Sequence, residues 1–544
     1  MARRNFTSAA VARLLEASDS EDSEFSNQEE SDEEAHNKLH SSYEDSDSSD
    51  SVSSNESNRS TSQIYHGKDG TVWTTSENRS SGRFSRQNIL RDVPGPTQYC
   101  KRQIIEARVS SAWRLMIDEP ILRHIKICTE AEARRQSNDG EWTITLNELD
   151  AFLAIIYARG IYGASGRELD SLWSKEWGPP FFSSTMSRNR FREIMKYLRF
   201  DLRSSRSERL RDDKFALASE PWNRFIKNCI TCFTPGQNIT IDEQLFPTKA
   251  RTPFTQYMPQ KPDKFGIKFW LAVDVETKYL LNGFPYLGKD EQRPANETLA
   301  EHVVKRLMQP FINKGRNLTT DNFFTSLKLA KELRSKSTSL VGTINRARRE
   351  IPLCLKNQRD ELYATRVLQN DSATLTVYQG KKQKNVFLLS SMHSSVDVET
   401  TGKKLPETVA FYNATKYGVD VLDQMARKYS VRAASRRWPV QVFYNILDFA
   451  AINGWILYKT VTKSSISRSD FIFRLADELR LLYVGERVQP LHPQSPLLRE
   501  NFAQRRQCQV LKCKNKTHDL CATCRKPVCG KCTGEVSRKC RLCC

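Results

Sequence analysis

The middle of the chain alternates between strand and helix patterns, which limits its possible folds more than any other feature. NITIDEQLFP alternates apolar and polar residues, and the apolar run FWLAVD, closed by Asp274, precedes a turn and a second strand, YLLNGFPYLG. A helix pattern follows, with Asn296 as its predicted N-cap, and then a short strand ending at Asp321, a helix and the strand STSLVGTIN. This order predicts a mixed α/β sheet containing a FWLAVD–YLLNGFPYLG hairpin.

Helical patterns flank this region on both sides. TLNELDAFLAIIYARGIYG and SRNRFREIMKYLRFD repeat apolar residues at three- and four-residue spacing after the predicted caps Thr145 and Ser187. Later, ATRVLQNDSATLTVYQGKKQKNVFLLSSMH favours paired strands, which we interpret as a small inserted β unit. Helices resume with YGVDVLDQM and VQVFYNILDFAAINGWILYKTV. No run approaches the ~18 apolar residues of a membrane helix, and no secretory signal is visible, so we expect an intracellular protein with no membrane partner.

The charge is distributed very unevenly. Residues 16–56 carry 15 acidic side chains against one lysine, Lys38, so the remainder is more basic than the whole-chain net charge of +20 suggests. A basic globular part indicates a polyanionic partner, because counterions are released when Lys and Arg neutralise phosphates, and this release favours binding. A solvated basic surface is the alternative. The acidic segment, poor in aliphatic residues, predicts disorder. Its Ser-Asp runs suit an acidophilic kinase, or are a plain solvating tail.

The cysteines are concentrated at the C-terminus. Nine of the 14 lie in the last 37 residues, as four pairs: Cys508 and Cys513, Cys521 and Cys524, Cys529 and Cys532, Cys540 and Cys543. In an intracellular protein such spacing indicates metal ligands rather than disulfides, and eight thiolates suit two tetrahedral Zn²⁺ ions per chain. His518 is a possible substitute ligand, and Cys544 is left over.

Several aspartates stand where a sheet would bring them together. Asp274 and Asp321 each end a predicted strand, and Asp420 and Asp423 lie three residues apart on a later helix. An aspartate that ends a strand is usually a turn former. In a basic α/β protein, however, carboxylates from separate elements are also what two divalent ions need for phosphodiester chemistry.

Five segments together resemble the piggyBac transposase family, in matching order over about 100–544: MSRNRFREIMKYLRFD, FWLAVDVETKYLLNGFPYLG, NLTTDNFFTSLKLA, YGVDVLDQM and SRRWP. The resemblance implies a ribonuclease H-like catalytic core. Its three metal-binding aspartates are matched to Asp274, Asp321 and Asp420, with Asp423 as an additional catalytic carboxylate, holding two Mg²⁺ or Mn²⁺ per active site. It also implies an interleaved cross-brace for zinc, with cysteine pairs one and three on one ion and pairs two and four on the other.

The implied architecture is an α/β, ribonuclease H-like core interrupted by a β-rich insertion, flanked by a helical dimerisation and DNA-binding domain, with a C-terminal cross-brace zinc domain. The predicted boundaries are an acidic disordered region, 1–95; the helical domain, 96–265 and 430–487; the catalytic core, 266–347 and 407–429; the insertion, 348–406; a linker, 488–504; and the zinc domain, 505–544.

The implied activity is cut-and-paste transposition. A nicked transposon end forms a hairpin, the hairpin is reopened, and the freed 3′-hydroxyls attack a TTAA target; the implied partners are transposon terminal repeats and a second copy of the chain. A domesticated derivative that binds DNA or chromatin without cutting, and a hydrolytic nuclease, are the alternatives. Basic clusters such as RRQCQVLKCKNK favour nuclear localisation.

DNA contacts are predicted on two segments. The loop TPFTQYMPQKPDKFGIK mixes Lys261, Lys264 and Lys268 with Tyr257 and Phe265, which suits a DNA backbone or, alternatively, packing of the loop against the sheet. The other segment is SRRWP, with Arg436, Arg437 and Trp438; in the family the matching tryptophan lies near the hairpin DNA end.

Overall fold

The computed structural model describes residues 63–75, 89–137, 140–164, 166–259, 261, 263–289, 293–357, 360–488, 505–510, 513–518 and 526–532. The chain divides into two compact units, Met1–Val484 and Gly485–Cys544. The predicted linker lies almost wholly outside the described residues, as does the 16–56 acidic segment.

The strands of the first unit are β1 (Ile64–His66), β2 (Val72–Thr75), β3 (Gly95–Pro96), β4 (Phe233–Thr234), β5 (Asn238–Pro247), β6 (Thr255–Tyr257), β7 (Phe265–Asp274), β8 (Leu280–Pro285), β9 (Asn317–Thr320), β10 (Ser339–Thr343), β11 (Thr365–Asn370), β12 (Ala373–Lys381) and β13 (Lys384–Ser390). Eleven of them form one sheet in the order β1-β2-β11-β12-β13-β10-β9-β5-β7-β6, with β8 also paired to β7. Strands β5, β9 and β10 run parallel, whereas β7 is antiparallel to β5. The predicted mixed sheet and the hairpin of β7 with β8 are confirmed.

The helices are α1 (Gln98–Gln103), α2 (Val109–Trp113), α3 (Glu119–Gln136), α4 (Leu146–Ile161), α5 (Leu169–Leu172), α6 (Pro180–Thr185), α7 (Arg188–Tyr197), α8 (Arg203–Asp212), α9 (Ser219–Cys232), α10 (Leu299–Met308), α11 (Leu327–Ser335), α12 (Leu353–Asn357), α13 (Glu407–Thr415), α14 (Gly418–Lys428), α15 (Trp438–Thr462) and α16 (Arg468–Val488). Thr145 and Ser187 cap α4 and α7 as predicted, accepting hydrogen bonds from the backbone of Glu148 and Arg190.

Helix α15 is the central helix of the core. It is long and apolar enough to cross a membrane, but 94% of its most apolar window is buried inside the protein. The polar residues Asn445 and Asn453 of this helix are fully buried and hydrogen-bonded, to Gln244 and to the backbone of Leu280 respectively. We therefore interpret α15 as a core helix that packs beneath the sheet.

Two sequence predictions about local structure were wrong. The helix predicted to begin at Asn296 is capped instead by Thr298, which forms a reciprocal capping box with Glu301. Part of the region predicted as disordered, 63–75, forms the hairpin of β1 and β2, because Trp73 is fully buried there and its indole donates to the carbonyl of Glu350. The strands β11–β13 pair locally, as the inserted β unit predicted, and they join the main sheet through the β10–β13 pair.

Candidate functional site

Strand β5 carries a carboxylate in its middle, at Asp242. Alternation along the strand places Thr240, Asp242 and Gln244 on one face of the sheet. This face meets the C-terminal helices, since the hydroxyl of Thr240 donates to the carbonyl of Thr415 and Gln244 contacts Asn445. Asp242 therefore projects from the sheet on the side covered by α13–α15.

Strand β9 brings Asp321 beside Asp242. The two strands are parallel, and Ile241 lies opposite Thr320. Asp242 and Asp321, which come next in sequence, therefore lie side by side. The Asp321 carboxylate accepts hydrogen bonds from the backbone N–H groups of Phe323 at 3.0 Å and Phe324 at 3.4 Å. The turn-forming and the metal-binding interpretations of this residue are thus compatible, because the turn leaves oxygen lone pairs available.

Helix α14 packs on β5 and β7 and brings two more carboxylates. A Cβ on Gly418, its first residue, would lie 3.1 Å from the Cβ of Thr240, so the absence of a side chain lets the helix approach the strand closely. Asp420 follows in the first turn. Asp423 accepts hydrogen bonds from Gln244 at 2.8 Å and from Arg427 at 3.0 Å, which fixes its orientation.

The carboxylates raise one another's pKa values. Burial and the charges of Glu243, Asp321 and Asp420 hold the pKa of Asp242 well above its usual range. Burial and the charge of Glu243 raise the pKa of Asp321 to about 6. Partial desolvation by neighbouring residues and the charge of Asp423 also raise the pKa of Asp420, although its side chain stays exposed to solvent. The ionised carboxylates thus repel one another, and cations relieve such repulsion.

The prediction that Asp274 joins this cluster was wrong. Asp274 lies opposite Ile239, three positions along the ladder from Asp242, and alternation puts it on the opposite face of the sheet. Its buried carboxylate accepts hydrogen bonds from Gly236 N at 2.7 Å, Thr277 N at 3.0 Å and Thr277 Oγ1 at 2.7 Å. These hydrogen bonds make Asp274 a turn former. It lies away from the carboxylate cluster because β7 runs antiparallel to β5, so that the C-terminal end of β7 lies beside the N-terminal end of β5.

Asp242 is the residue that sequence reasoning missed. The sequence pattern indicates aspartates that end a strand, whereas Asp242 lies inside β5. A signal was available in NITIDEQLFP itself, where Asp242 and Glu243 are two successive carboxylates in the middle of a predicted strand, and a carboxylate in a largely buried strand requires a partner.

The predicted lysines have three different environments. Lys261 faces the carboxylates, and the charges of Asp242, Glu243 and Asp420 raise its pKa despite burial. Lys268 lies 3.9 Å from the centre of the Trp270 ring and 4.0 Å from a Glu243 oxygen, so packing accounts for it and burial lowers its pKa. Lys264 is exposed.

In the predicted DNA-contacting segment SRRWP, two of the three residues are occupied by internal contacts. The Arg437 guanidinium donates to the carbonyls of Met195, Lys196 and Leu198 at the end of α7, and Trp438 stacks on Phe215 with ring centres 5.4 Å apart. These contacts hold part of each side chain, and both residues remain partly exposed, so their DNA contacts stay predictions. Arg436 is exposed.

A second candidate metal centre lies in the C-terminal unit, which contains the short strands β14 (Arg506–Gln507) and β15 (Lys516–Thr517) and a 3₁₀ turn, Gly530–Cys532. The sulfur atoms of Cys508, Cys513, Cys529 and Cys532 all lie within 4.8 Å of one another. Cysteine pairs one and three therefore converge, as the predicted interleaved arrangement requires. Pairs two and four, and Cys544, lie outside the described residues, and His518 is described but is not part of the cluster.

The donor atoms fit the two kinds of ion differently. The Cys513 and Cys529 sulfurs are 3.6 Å apart, close to the roughly 3.8 Å that tetrahedral Zn–S bonds of ~2.3 Å imply. The carboxylates offer only oxygen, which suits Mg²⁺ or Mn²⁺. In the described part of the chain they do not form a mutual 4.8 Å group as the cysteines do. A site for two ions ~3.5–4 Å apart has its ligands distributed around both ions, so the carboxylate oxygens need not all lie within 4.8 Å of one another.

Comparison with known proteins identifies the class. A family model described as Transposase IS4 matches residues 110–455, well over half of the chain and a range that includes all four clustered aspartates, so the chain belongs to a transposase family. A cryo-EM structure of a piggyBac transposase synaptic complex with hairpin DNA matches with a TM-score of 0.70 and 30% identity, covering 83% of this chain and 100% of that one. The chain belongs to the piggyBac-type transposase family, which confirms the resemblance inferred from its sequence.

Curated human proteins are more distant relatives. PiggyBac transposable element-derived protein 3 of Homo sapiens is 23% identical over 347 residues, which cover 60% of this chain and 58% of the human protein. PiggyBac transposable element-derived protein 2 of Homo sapiens is 22% identical over 335 residues, covering 58% of this chain and 56% of that protein. The matched part thus spans little more than half of each human relative.

Proposed function

We propose that this protein is a cut-and-paste DNA transposase that cleaves and joins DNA strands at a site formed by Asp242, Asp321 and Asp420. The observation that carries the proposal is the convergence of these carboxylates from β5, β9 and α14, three elements far apart in the sequence, in a strongly basic chain. In this proposal the catalytic part has a ribonuclease H-like fold.

The residues have distinct proposed roles. Asp242, Asp321 and Asp420 would hold two Mg²⁺ or Mn²⁺ ions, which supply Lewis acidity and lower the pKa of water when bound. Asp423 is the additional carboxylate; Gln244 and Arg427 fix its orientation, so it supports the site from the side of α14. Gly418 positions the whole helix by allowing its close approach to Thr240.

The proposed reaction is a series of phosphoryl transfers. Water attacks the phosphodiester at the transposon 3′ end, breaking the bond to the neighbouring nucleotide and freeing a 3′-hydroxyl. That hydroxyl attacks the opposite strand and displaces its 3′ oxygen, which yields a hairpin. Water reopens the hairpin, and the two 3′-hydroxyls then attack a TTAA target, so that one P–O bond breaks for each one formed.

Further parts of the proposal concern the whole protein. The C-terminal unit would bind two Zn²⁺, one of them at Cys508, Cys513, Cys529 and Cys532, and recognise terminal-repeat DNA or a protein such as a histone tail. Two copies of the chain would pair to hold two transposon ends in the nucleus. An acidophilic kinase acting on the serine-rich N-terminal region is also proposed, and that region lies largely outside the described residues.

A domesticated derivative that binds DNA without cutting it is the second candidate. It is favoured by the similarity to human transposable element-derived proteins. The two functions differ in their need for the carboxylates. A transposase needs them to hold metal ions, whereas a protein that only binds DNA does not. The presence of Asp242, Asp321, Asp420 and Asp423 at one site supports the enzyme.

The decisive experiment is an excision and integration assay with candidate terminal repeats flanking a marker, sequenced at donor and target junctions. Precise donor repair and joining at TTAA support the transposase. Breaks without joined strands indicate a hydrolytic nuclease, and DNA binding without either product indicates a domesticated binder.

A further inference from the structure

We infer that Tyr257 and Phe265 form a stacking platform for an unpaired DNA base beside the carboxylate site. The inference rests on the proposed function, because it takes DNA as the substrate. It adds a recognition element for single-stranded DNA, such as a strand end or a hairpin tip.

The two rings form an exposed pair at the margin of the sheet. Tyr257 of β6 lies directly opposite Phe265 of β7, with ring centres 4.8 Å apart and ring planes inclined at 41°. The side chains are 57% and 56% exposed, although aromatic pairs usually stabilise a protein by burial. The sequence left open whether this loop packs on the sheet, and these exposures show that packing does not account for the two rings.

The platform and Asp242 lie on the same face of the sheet. Leu271 of β7 is opposite Asp242 and Ile267 is opposite Phe246, and Phe265 follows in the same alternation. Phe265 and Leu271 are six positions apart, which corresponds to about 20 Å along the strand, or about six steps of one DNA strand at ~3.4 Å each. Ile267 and Phe269 between them are buried, so a DNA strand would run outside this face, past Arg427, which contacts both Asp423 and Asp263.

The charges around the platform suit a nucleic acid. Lys249, Arg251 and Lys264 are exposed on the neighbouring loops. The nearby acidic residue Asp263 lies 3.2 Å from Arg427, which also contacts Asp423, so its charge is compensated only in part. Phosphates attracted by these cations would hold a strand along the edge, and a base is the part of DNA with a flat face that can stack on an aromatic ring. In a duplex these faces are already stacked, so the platform fits an unpaired base.

The test compares two DNA probes of arbitrary sequence, a blunt duplex and the same duplex with a four-nucleotide single-stranded extension carrying 2-aminopurine. The full-length chain is expected to prefer the extended probe and to quench its fluorescence. Y257A/F265A should lose about tenfold in affinity for the extended probe alone, together with the quenching. Y257F/F265Y should retain both, because the rings remain.

Two controls separate stacking from charge and from folding. K264A should weaken both probes alike and reduce the salt dependence, since a phosphate contact does not distinguish them. W177A removes another exposed aromatic side chain, 82% exposed, and should change neither probe. Thermal melting checks that Y257A/F265A is folded.

Unchanged preference and quenching in a folded Y257A/F265A would overturn the inference, as would equal weakening of both probes. The proposed function fails separately, if the full-length protein shows this preference but yields no divalent-dependent cleavage of any candidate terminal repeat.

Discussion

Asp242 and Asp274 lie on opposite faces of one antiparallel strand pair, three positions apart along the ladder. Asp242 faces α14 and its carboxylates, whereas the Asp274 carboxylate accepts three hydrogen bonds from Gly236 and Thr277 in the turn. Two aspartates on neighbouring strands thus have different chemistry because the sheet separates them.

This difference predicts contrasting variants. D242N, D321N and D420N should each lower divalent-dependent DNA cleavage by roughly a thousandfold or more, because metal stabilisation contributes several kcal/mol and ~1.4 kcal/mol is tenfold. D274A should instead cost about 3 kcal/mol of folding stability through its lost hydrogen bonds and leave cleavage measurable at low temperature. Cleavage and thermal melting check this, with DNA binding as the control. Normal cleavage by D242N would exclude Asp242 as a ligand.

Asp448 is predicted to make stability depend on pH. It lies buried in α15 and accepts hydrogen bonds from Ser430 Oγ at 2.6 Å and Val431 N at 2.8 Å. These two donors follow α14, the helix that carries Asp420. Burial raises its pKa to about 7 from an ordinary 3.8. Because the folded protein binds the Asp448 proton more tightly than the unfolded chain does, the protonated carboxyl stabilises the fold. This stabilisation is complete below pH ~3.8 and is lost as the pH rises towards 7.

The matched variant is D448N, which keeps an acceptor for Val431 N and does not titrate. Its free energy of unfolding, minus that of the natural protein, should grow between pH 4 and 7 by up to about 4 kcal/mol and then level off. Denaturant unfolding at several pH values measures this difference, in which other titrating groups cancel. A difference that stays constant across this range would contradict the assignment.

Arg437 and Arg436 offer an adjacent pair with opposite expectations. R437A should cost about 2 kcal/mol of stability, because the guanidinium satisfies carbonyls at the C-terminus of α7. R436A should leave the melting temperature unchanged and, if Arg436 contacts a phosphate, reduce the slope of log affinity against log salt by about one. Melting curves and salt titrations of both variants test this. A larger stability loss in R436A would refute it.

The cysteine cluster predicts metal content. Purified protein should contain about two Zn²⁺ per chain. C529S should lose one of them, because Cys529 belongs to the converged four-sulfur group, whereas C354S, which changes an exposed cysteine elsewhere, should lose none. Elemental analysis gives the content, and chelation should unfold the C-terminal unit and weaken DNA-end recognition. Full zinc content in C529S would mean that these sulfurs do not hold an ion.

The family, the element order and most element types could be predicted from the amino-acid sequence. The five segments that resemble piggyBac transposases were sufficient for the family, and the family comparison confirmed it. Local patterns were also sufficient for the caps Thr145 and Ser187, because capping depends on residues three or four apart. The convergence of cysteine pairs one and three followed from the implied cross-brace.

Which aspartates lie close together could be seen only in the folded protein. A strand pattern shows that a residue ends or interrupts a strand, but the direction of the neighbouring strand and the face of the sheet decide what surrounds it. Parallel β9 places Asp321 beside Asp242, and antiparallel β7 directs Asp274 away. The same applies to Arg437 and Trp438, whose partners are α7 and Phe215, distant in sequence. Such contacts depend on packing between remote segments, which local periodicity does not encode.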